Sequence, residues 1–138
     1  MTNPLSVVER LVDRTNQHDL EGIVACFASD YSLESPIHPA RSFRGQQQVH
    51  RNWTQLLGAI RDLTVTIVRS AIDGETVWTE QEMSGTRRDG ATHLMRGVFI
   101  FGVSGGLIQW GRMFFEPLDE ADVDADAAVR AVAGIVRA

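Results

Sequence analysis

The sequence contains one cysteine, no excess of basic residues and no long apolar run. Because Cys26 is the only cysteine, an internal disulfide and a multi-thiolate metal site are both excluded. The net charge of -5 at pH 7 argues against a sequence-independent grip on nucleic acid, which depends on basic patches. No apolar stretch approaches the roughly 20 residues that a bilayer-spanning helix needs. We therefore expect neither nucleic acid nor a membrane as a partner.

Signals for metal binding, cofactor binding and export are also missing. His18, His50 and His93 do not show the spacing of metal ligands, so we expect no metal site. The glycines at 105 and 106 fit a hairpin turn better than a nucleotide-binding loop, and we expect no cofactor. The first residues, MTNPLSVVERLVDR, lack the basic-then-apolar order of a signal peptide. On that basis we expect a cytoplasmic protein.

The clearest structural signal is a meander of strands between residues 77 and 116. Turns are predicted at residues 87–90 and 104–106, where glycine supplies the positive φ that other residues resist. In the first strand Val77, Thr79, Gln81 and Met83 alternate with a second set that includes Glu80 and Glu82. The pattern predicts three antiparallel strands whose two faces differ.

The remaining elements are mostly helices that precede this meander. Asn3 and Pro4 predict a helix start, Asp19 predicts the cap of a second short helix that extends to Phe27, and a third helix follows Gly45. Short strands are predicted at residues 30–34 and 63–72, and a C-terminal helix at about 119–137. With 138 residues, 43% of them hydrophobic, we expect one domain spanning residues 1–138. Helices segregated from a strand meander predict an α+β fold, with a strongly curved, mostly antiparallel sheet wrapped around the N-terminal helices as a cone.

Several short motifs resemble the SnoaL-like branch of the nuclear transport factor 2 superfamily. They are His18-Asp19-Leu20-Glu21-Gly22-Ile23, Phe27-Ala28-Ser29-Asp30, Phe43-Arg44-Gly45, Asp62-Leu63, Gly97-Val98-Phe99 and Gly106-Leu107-Ile108. The resemblance covers roughly residues 5 to 118. It implies the cone-shaped fold and a homodimer through the outer sheet face. It does not specify the chemistry, because this fold carries isomerases, cyclases, epoxide hydrolases, dehydratases and binding modules.

The catalytic positions of the ketosteroid isomerases in that superfamily are vacant here. The resemblance places the carboxylate base of those enzymes at Ser35, just before a proline. It places their oxyanion-binding tyrosine at Leu11 and their protonated aspartate at Val98. None of these three residues can perform the corresponding role, so the sequence argues against a steroid isomerase of that kind.

The positions of the epoxide-hydrolase relatives are vacant as well. Thr79-Glu80 resembles a Thr-Glu pair of limonene-epoxide-hydrolase-like proteins, which use an aspartate–arginine–aspartate set for acid/base chemistry. In this chain the arginine position falls on Gln81 and the two aspartate positions fall on Met83 and Met113. Met113 also stands near the acid/base aspartate of SnoaL-type cyclases.

The same resemblance predicts an apolar cavity with a few polar groups. The expected lining consists of Leu11, Phe27, Trp53, Leu56, Thr79, Gln81, Met83, Val98, Met113 and Phe115. We interpret Glu80 and Glu82 as outer-face residues with Arg96 and Arg112 as ion partners. A register slip of one residue would instead turn both carboxylates inward, where desolvation raises a carboxyl pKa.

Two functions remain open from the sequence. The first is a pocket protein that binds or carries a small hydrophobic molecule. The second is an enzyme of isomerase, cyclase or epoxide-hydrolase type with a non-standard set of catalytic residues. The candidates for that set are Glu80, Glu82, His38, Tyr31 and Arg96.

Overall fold

The computed structural model describes residues 3–135 and begins with the predicted helix. Helix α1 spans Pro4–Asn16, and Asn3 caps it by accepting a 2.9 Å hydrogen bond from the Leu5 N–H to its side-chain oxygen. Its inward face buries apolar residues at helical spacing: Val7, Val8, Leu11 and Val12, with Thr15. Its last residue, Asn16, exchanges two hydrogen bonds with the Val65 backbone, at 2.9 Å and 2.7 Å. These bonds fix the end of α1 against the sheet.

The second helix is shorter than the sequence predicts. Helix α2 spans Leu20–Val24 and is capped by Asp19, whose carboxylate accepts from the Gly22 N–H at 3.0 Å. Phe27, which we expected on this helix, is the first residue of strand β1, Phe27–Glu34. The strand therefore starts three residues before the predicted Asp30, because this segment pairs in parallel with Ile108 on a later strand. A partner 81 positions away in the chain leaves no local sequence signal.

The segment after β1, residues 35–42, contains Pro36 and Pro39 and is called the proline-rich loop below; it and the residues that follow it contain structure that the sequence did not predict. A single 3-10 turn spans Pro39–Arg41, and the two-residue strand β2, Phe43–Arg44, pairs antiparallel with β1. Gly45 then adopts a φ of +103°, which lets the chain turn into helix α3, Gln46–Ala59. Beyond the end of this helix, the Asp62 carboxylate accepts a hydrogen bond from the N–H of Thr86 at 2.7 Å.

The predicted strand meander is present and completes one six-stranded sheet. Its strands are β3 (Thr64–Asp73), β4 (Thr76–Thr86), β5 (Thr92–Ser104) and β6 (Leu107–Pro117). The strand order is β2-β1-β6-β5-β4-β3, and every pair is antiparallel except β1–β6. Register shifts between Ile67 and Arg69 and between Gly102 and Val103 are the kind of irregularity that bends a sheet. The α+β prediction is confirmed, with the sheet wrapped over α1 and α3.

The C-terminal helix is shorter than predicted. Helix α4 spans Ala125–Ala133 rather than about 119–137, because Asp124 caps its first turn and Gly134 ends it at a φ of +72°. The end of the predicted helix, at residue 137, lies outside the described residues. Val129 and Val132 are exposed, so the apolar side of α4 is not buried against this chain.

Candidate functional site

A cavity of about 240 Å³ lies between the inner face of the sheet and helices α1 and α3. Its wall is rich in aromatic rings and thioethers, contributed by Phe27, Tyr31, Phe43, Trp53, Phe99, Phe101, Phe115, Met83, Met95 and Met113. Among the described residues that line it, none carries a carboxylate, an amine, a guanidinium or an imidazole. The cavity is therefore an apolar compartment in which a charged ligand would lose its hydration without finding a counter-charge.

The structure places eight of the ten expected lining residues on the cavity wall. They are Leu11, Phe27, Trp53, Leu56, Gln81, Met83, Met113 and Phe115. Most of the enzyme positions that the sequence shows as vacant are therefore cavity positions, and here they hold apolar side chains or an amide. Ser35 does not line the cavity; it is buried, and its backbone N–H donates to the Ser42 hydroxyl at 2.9 Å.

Val98 does not line the cavity, contrary to the sequence-based expectation. In the β4–β5 register Val98 stands opposite Glu80, and directly opposed residues of paired strands project to the same face. Glu80 forms a 3.0 Å ion pair with Arg69 on the outer face. Phe99, the next residue along β5, lines the cavity instead. The expectation was wrong by one residue, which in a strand exchanges the two faces.

Thr79 does not line the cavity, but it orients Gln81, which does. Its side chain is fully buried, and its hydroxyl donates to the Phe99 carbonyl oxygen at 3.3 Å. The Gln81 side-chain amide donates to the same hydroxyl oxygen at 2.9 Å. The three groups form a short polar chain at the cavity wall, which ends at the amide of Gln81.

Tyr31 is the only residue on the wall, among those described, with an ionisable side chain. It is 3% exposed and its ring packs edge-on against Phe27, with the centroids 4.7 Å apart. Burial raises the pKa of the Tyr31 hydroxyl well above its ordinary value, so this group stays neutral across the physiological range. The hydroxyl points toward the α-carbon of Gly111, where any side chain would collide with it.

Three of the predicted catalytic candidates lie on the outer face of the sheet. Glu80 pairs with Arg69, and the Arg96 guanidinium approaches the Glu82 carboxylate at 3.5 Å. Each of these ion pairs joins neighbouring strands across the exposed side of the sheet. The structure therefore agrees with the outer-face interpretation of both carboxylates and with Arg96 as a partner. The expectation for Arg112 was wrong, because its guanidinium binds the Glu34 carboxylate at 2.6 Å.

The histidines are dispersed. His38 Nε2 lies 2.6 Å from Glu116 Oε1, a contact that connects the proline-rich loop to the end of β6. His93 Nε2 lies 3.3 Å from the sulfur of Met83. Burial, followed by the charge of Arg87, lowers the pKa of His93. Neither histidine belongs to the cavity wall.

Several wall residues were missed in the sequence. The omitted group includes Val12, Thr15, Leu33, Phe43, Val49, Asn52, Val65, Met95, Phe99 and Phe101. Two periodic patterns in the sequence could have identified some of these missed residues. Met95, Phe99 and Phe101 alternate along β5, and Val49, Asn52 and Trp53 follow helical spacing along α3.

The described residues form neither a cluster of metal-binding side chains nor a membrane-spanning helix. Within residues 3–135, no three His, Cys, Asp or Glu side chains converge in an arrangement that would hold a metal ion. None of the helices formed by this part of the chain has the length and apolar character needed to cross a bilayer.

Comparison with known proteins identifies the family. The SnoaL-like domain profile matches residues 8–110, most of the chain. The protein belongs to the SnoaL-like family. No curated protein matches the sequence.

Solved structures of similar fold include designed and natural proteins. A computationally designed 17-OHP binder has a TM-score of 0.72 at 21% identity and covers 86% of this chain and 100% of its own. A hypothetical protein from Catenulispora acidiphila DSM 44928, with a ketosteroid isomerase-like fold and in complex with trimethylamine, has a TM-score of 0.67 at 15% identity, with 77% and 82% coverage. An NTF2-like protein of unknown function from Burkholderia pseudomallei K96243 has a TM-score of 0.71 at 16% identity, with 84% and 92% coverage. At these identities the similarity establishes the NTF2-like fold.

Proposed function

We propose that this SnoaL-like protein binds a small hydrophobic molecule in the cavity between the sheet and helices α1 and α3. The observation that carries the proposal is the wall itself: about 240 Å³ lined by aromatic rings, thioethers and aliphatic side chains, with no charged group among the described lining residues. Ligand pockets are concave and mostly apolar, with a small number of polar groups that orient the ligand. Two proteins of similar fold are described as a designed 17-OHP binder and a complex with trimethylamine, which supports ligand binding by this scaffold.

The positions of the catalytic candidates favour binding over catalysis. Glu80, Glu82 and Arg96 lie in ion pairs on the outer face, and His38 is paired with Glu116. Only Tyr31 of the five candidates lines the cavity. A neutral phenol without a neighbouring general base on the wall can donate a hydrogen bond but is a poor proton acceptor.

The size of the cavity suggests the first probe. An apolar cavity of about 150 Å³ is enough to bind benzene, so a volume of about 240 Å³ suits a ligand of about two fused rings. Isothermal titration calorimetry with naphthalene tests the proposal directly. We expect saturable binding of about one naphthalene per chain to the wild type. Met113→Trp, which fills the cavity from β6, should abolish this binding, whereas Glu82→Gln on the outer face should bind as the wild type does. No binding to the wild type, or equal binding to Met113→Trp, would contradict the proposal.

We also propose that two copies associate through the outer face of the sheet. Trp78 and Trp110 are 47% and 37% exposed there, a large apolar area for a monomer surface. The half-buried Val98 and Phe114 stand opposite each other further along the same face. The ion pairs of Glu80 and Glu82 border this patch on one side, as the polar rim of a protein interface borders its apolar centre. The cytoplasmic location expected from the sequence stays a prediction.

A further inference from the structure

The orientation of the Gln81 amide is fixed by the hydrogen bonds behind it. The Thr79 hydroxyl donates to the Phe99 carbonyl oxygen at 3.3 Å. With its single proton used there, the Thr79 oxygen accepts from the Gln81 NH2 at 2.9 Å. A flipped amide would require the Thr79 hydroxyl to turn its proton away from the Phe99 carbonyl and toward Oε1. In the arrangement that the structure shows, the carbonyl end of Gln81 is the end turned to the cavity.

The free end of Gln81 is its carbonyl oxygen. Oε1 accepts no hydrogen bond from residues 3–135, while Nε2 is engaged with Thr79. No unpartnered side-chain oxygen or nitrogen of the described residues is sealed away from open space. Gln81 is 6% exposed and lines the cavity, so its Oε1 is accessible from the cavity. An acceptor in an apolar compartment is satisfied by a ligand that donates a hydrogen bond.

The space beside Gln81 is kept open by a glycine. Gly97 stands directly opposite Gln81 in the β4–β5 register, where any other residue would place a side chain on the same inner face. A β-carbon at Gly97 would collide with the Phe114 carbonyl group, so this position cannot carry a side chain without a backbone shift. The amide therefore has no cross-strand neighbour on β5.

The other residues of the cavity wall restrict which chemical groups the ligand can carry besides its hydrogen-bond donor. Two other wall residues have hydrogen-bonding groups. The Tyr31 hydroxyl is neutral and can donate to or accept from a ligand oxygen. Asn52 uses its side-chain oxygen to accept from Gln48 at 2.7 Å, which leaves its amide NH2 as a donor. The Phe99 and Phe101 rings, stacked 5.5 Å apart, and the methionine sulfurs offer favourable contacts to a flat ring. These surroundings suit an aromatic ligand without charge.

We propose that the cavity takes an uncharged aromatic compound bearing a hydroxyl group, and that Gln81 Oε1 accepts the hydrogen bond from that hydroxyl. This inference rests on the proposed binding function and specifies its ligand class. Gln81 is a specificity-determining residue that selects a donor over an acceptor. Thr79 is a positioning residue that holds the amide in the selective orientation.

The test compares two probes of nearly equal shape, 2-naphthol and 2-methoxynaphthalene, which differ in their ability to donate a hydrogen bond. Calorimetric Kd values are measured for both probes and for naphthalene at neutral pH. In the wild type we expect 2-naphthol to bind about three- to tenfold tighter than the methoxy compound, the range of one net hydrogen bond. Gln81→Met, which keeps the length of the side chain, should reduce this ratio to about one, and the naphthalene Kd of the same variant corrects the ratio for any change in the shape of the wall.

Two further variants separate Gln81 from its neighbours. Thr79→Val releases the amide, so the ratio should fall toward one because the freed NH2 can now donate to the methoxy oxygen. Tyr31→Phe should weaken both oxygenated probes to a similar extent, since a phenol hydroxyl can serve either oxygen. If the ratio is lost in Tyr31→Phe and kept in Gln81→Met, the assignment to Gln81 is overturned.

The outcomes also distinguish this inference from the function on which it rests. Equal binding of both oxygenated probes by the wild type, with naphthalene bound, would overturn the acceptor role of Gln81 and leave the apolar binding function intact. Failure of all three probes to bind would overturn both. A circular dichroism spectrum and a thermal melt of each variant establish that it is folded before its ratio is interpreted.

Discussion

The side chain of Gln81 donates a hydrogen bond to the hydroxyl of Thr79, two residues earlier on the same face of strand β4, over 2.9 Å. In related enzymes the resemblance puts an arginine at the position of Gln81, whereas here a neutral amide stands in a wall without charged groups. An amide held in one orientation can orient a ligand through its free oxygen. The hydrogen bond between these two residues therefore connects the fold to the binding function that we propose.

Asn16→Ala should destabilise the protein by about 1–3 kcal/mol, because Asn16 makes two hydrogen bonds to the Val65 backbone and each contributes about 0.5–1.5 kcal/mol. Urea denaturation measures the change. Gln17→Ala is the matched control, since the Gln17 side chain binds only the exposed Arg14, and it should change stability by less than about 0.5 kcal/mol. Equal effects of the two substitutions would refute this role for Asn16.

Two glycine-to-alanine substitutions should have opposite effects. Gly97 has a φ of +153° and its added β-carbon would meet the Phe114 carbonyl, so Gly97→Ala should destabilise by about 1–3 kcal/mol. Gly58 lies within helix α3 with no heavy atom near its would-be β-carbon. Gly58→Ala should stabilise by about 0.5–1 kcal/mol, the difference in helix propensity. Thermal melts monitored by circular dichroism distinguish the two directions.

The stability of the protein should depend on the protonation of His93. Burial lowers the pKa of His93 in the folded state below its ordinary value of 6.5, so the unfolded chain binds the proton more readily. The contribution of His93 to stability is therefore complete above pH 6.5 and is lost as the pH falls through the lowered folded-state pKa. We expect the free energy of unfolding of His93→Gln to decrease less than that of the wild type when the pH is lowered from neutral. Parallel decreases in both proteins would rule out this linkage.

The outer-face association predicts a surface variant that changes oligomeric state but leaves the cavity intact. Size-exclusion chromatography with light scattering should give the wild type a mass near twice its 15.3 kDa. Trp78→Glu places a charge in the exposed apolar patch, and we expect it to shift the protein to monomer with unchanged naphthalene binding. Val129→Glu, on the exposed side of α4, should remain dimeric. A monomer with Val129→Glu and a dimer with Trp78→Glu would place the interface on α4 instead.

Local sequence patterns predicted the features that depend on neighbouring residues, namely helix caps, tight turns and the alternating faces of a strand. The caps at Asn3 and Asp19, the two hairpin turns and the two faces of β4 all follow from neighbouring residues. Strand β2 and the early start of β1 at Phe27 were missed, because pairing with distant strands makes these short segments extended. The contact of His38 with Glu116 joins residues 78 positions apart and had no signal in the sequence.

The predictions for the cavity wall were also correct at some positions and wrong at others. The resemblance assigned Gln81 and Met83 to the inner face, and both line the cavity. It also assigned Val98 to that face, one residue out of phase with Met95, Phe99 and Phe101, which alternate along β5 and line the cavity. The alternation within β5 is the more direct signal of its two faces, because a shift of one residue along a strand exchanges them. That the cavity holds a ligand stays a prediction.

Native mass spectrometry of the protein purified from its own host, under gentle conditions, tests the central claim most directly. The account predicts that the wild type retains a small uncharged aromatic molecule, that Met113→Trp purified in parallel does not, and that the compound is released unchanged on denaturation. A compound that the wild type converts, with conversion lost in Glu80→Gln or His38→Ala, would contradict the account and make the protein an enzyme that acts through the outer-face or loop residues. A retained molecule that carries a net charge, or one held equally by Met113→Trp, would contradict the assignment to this cavity.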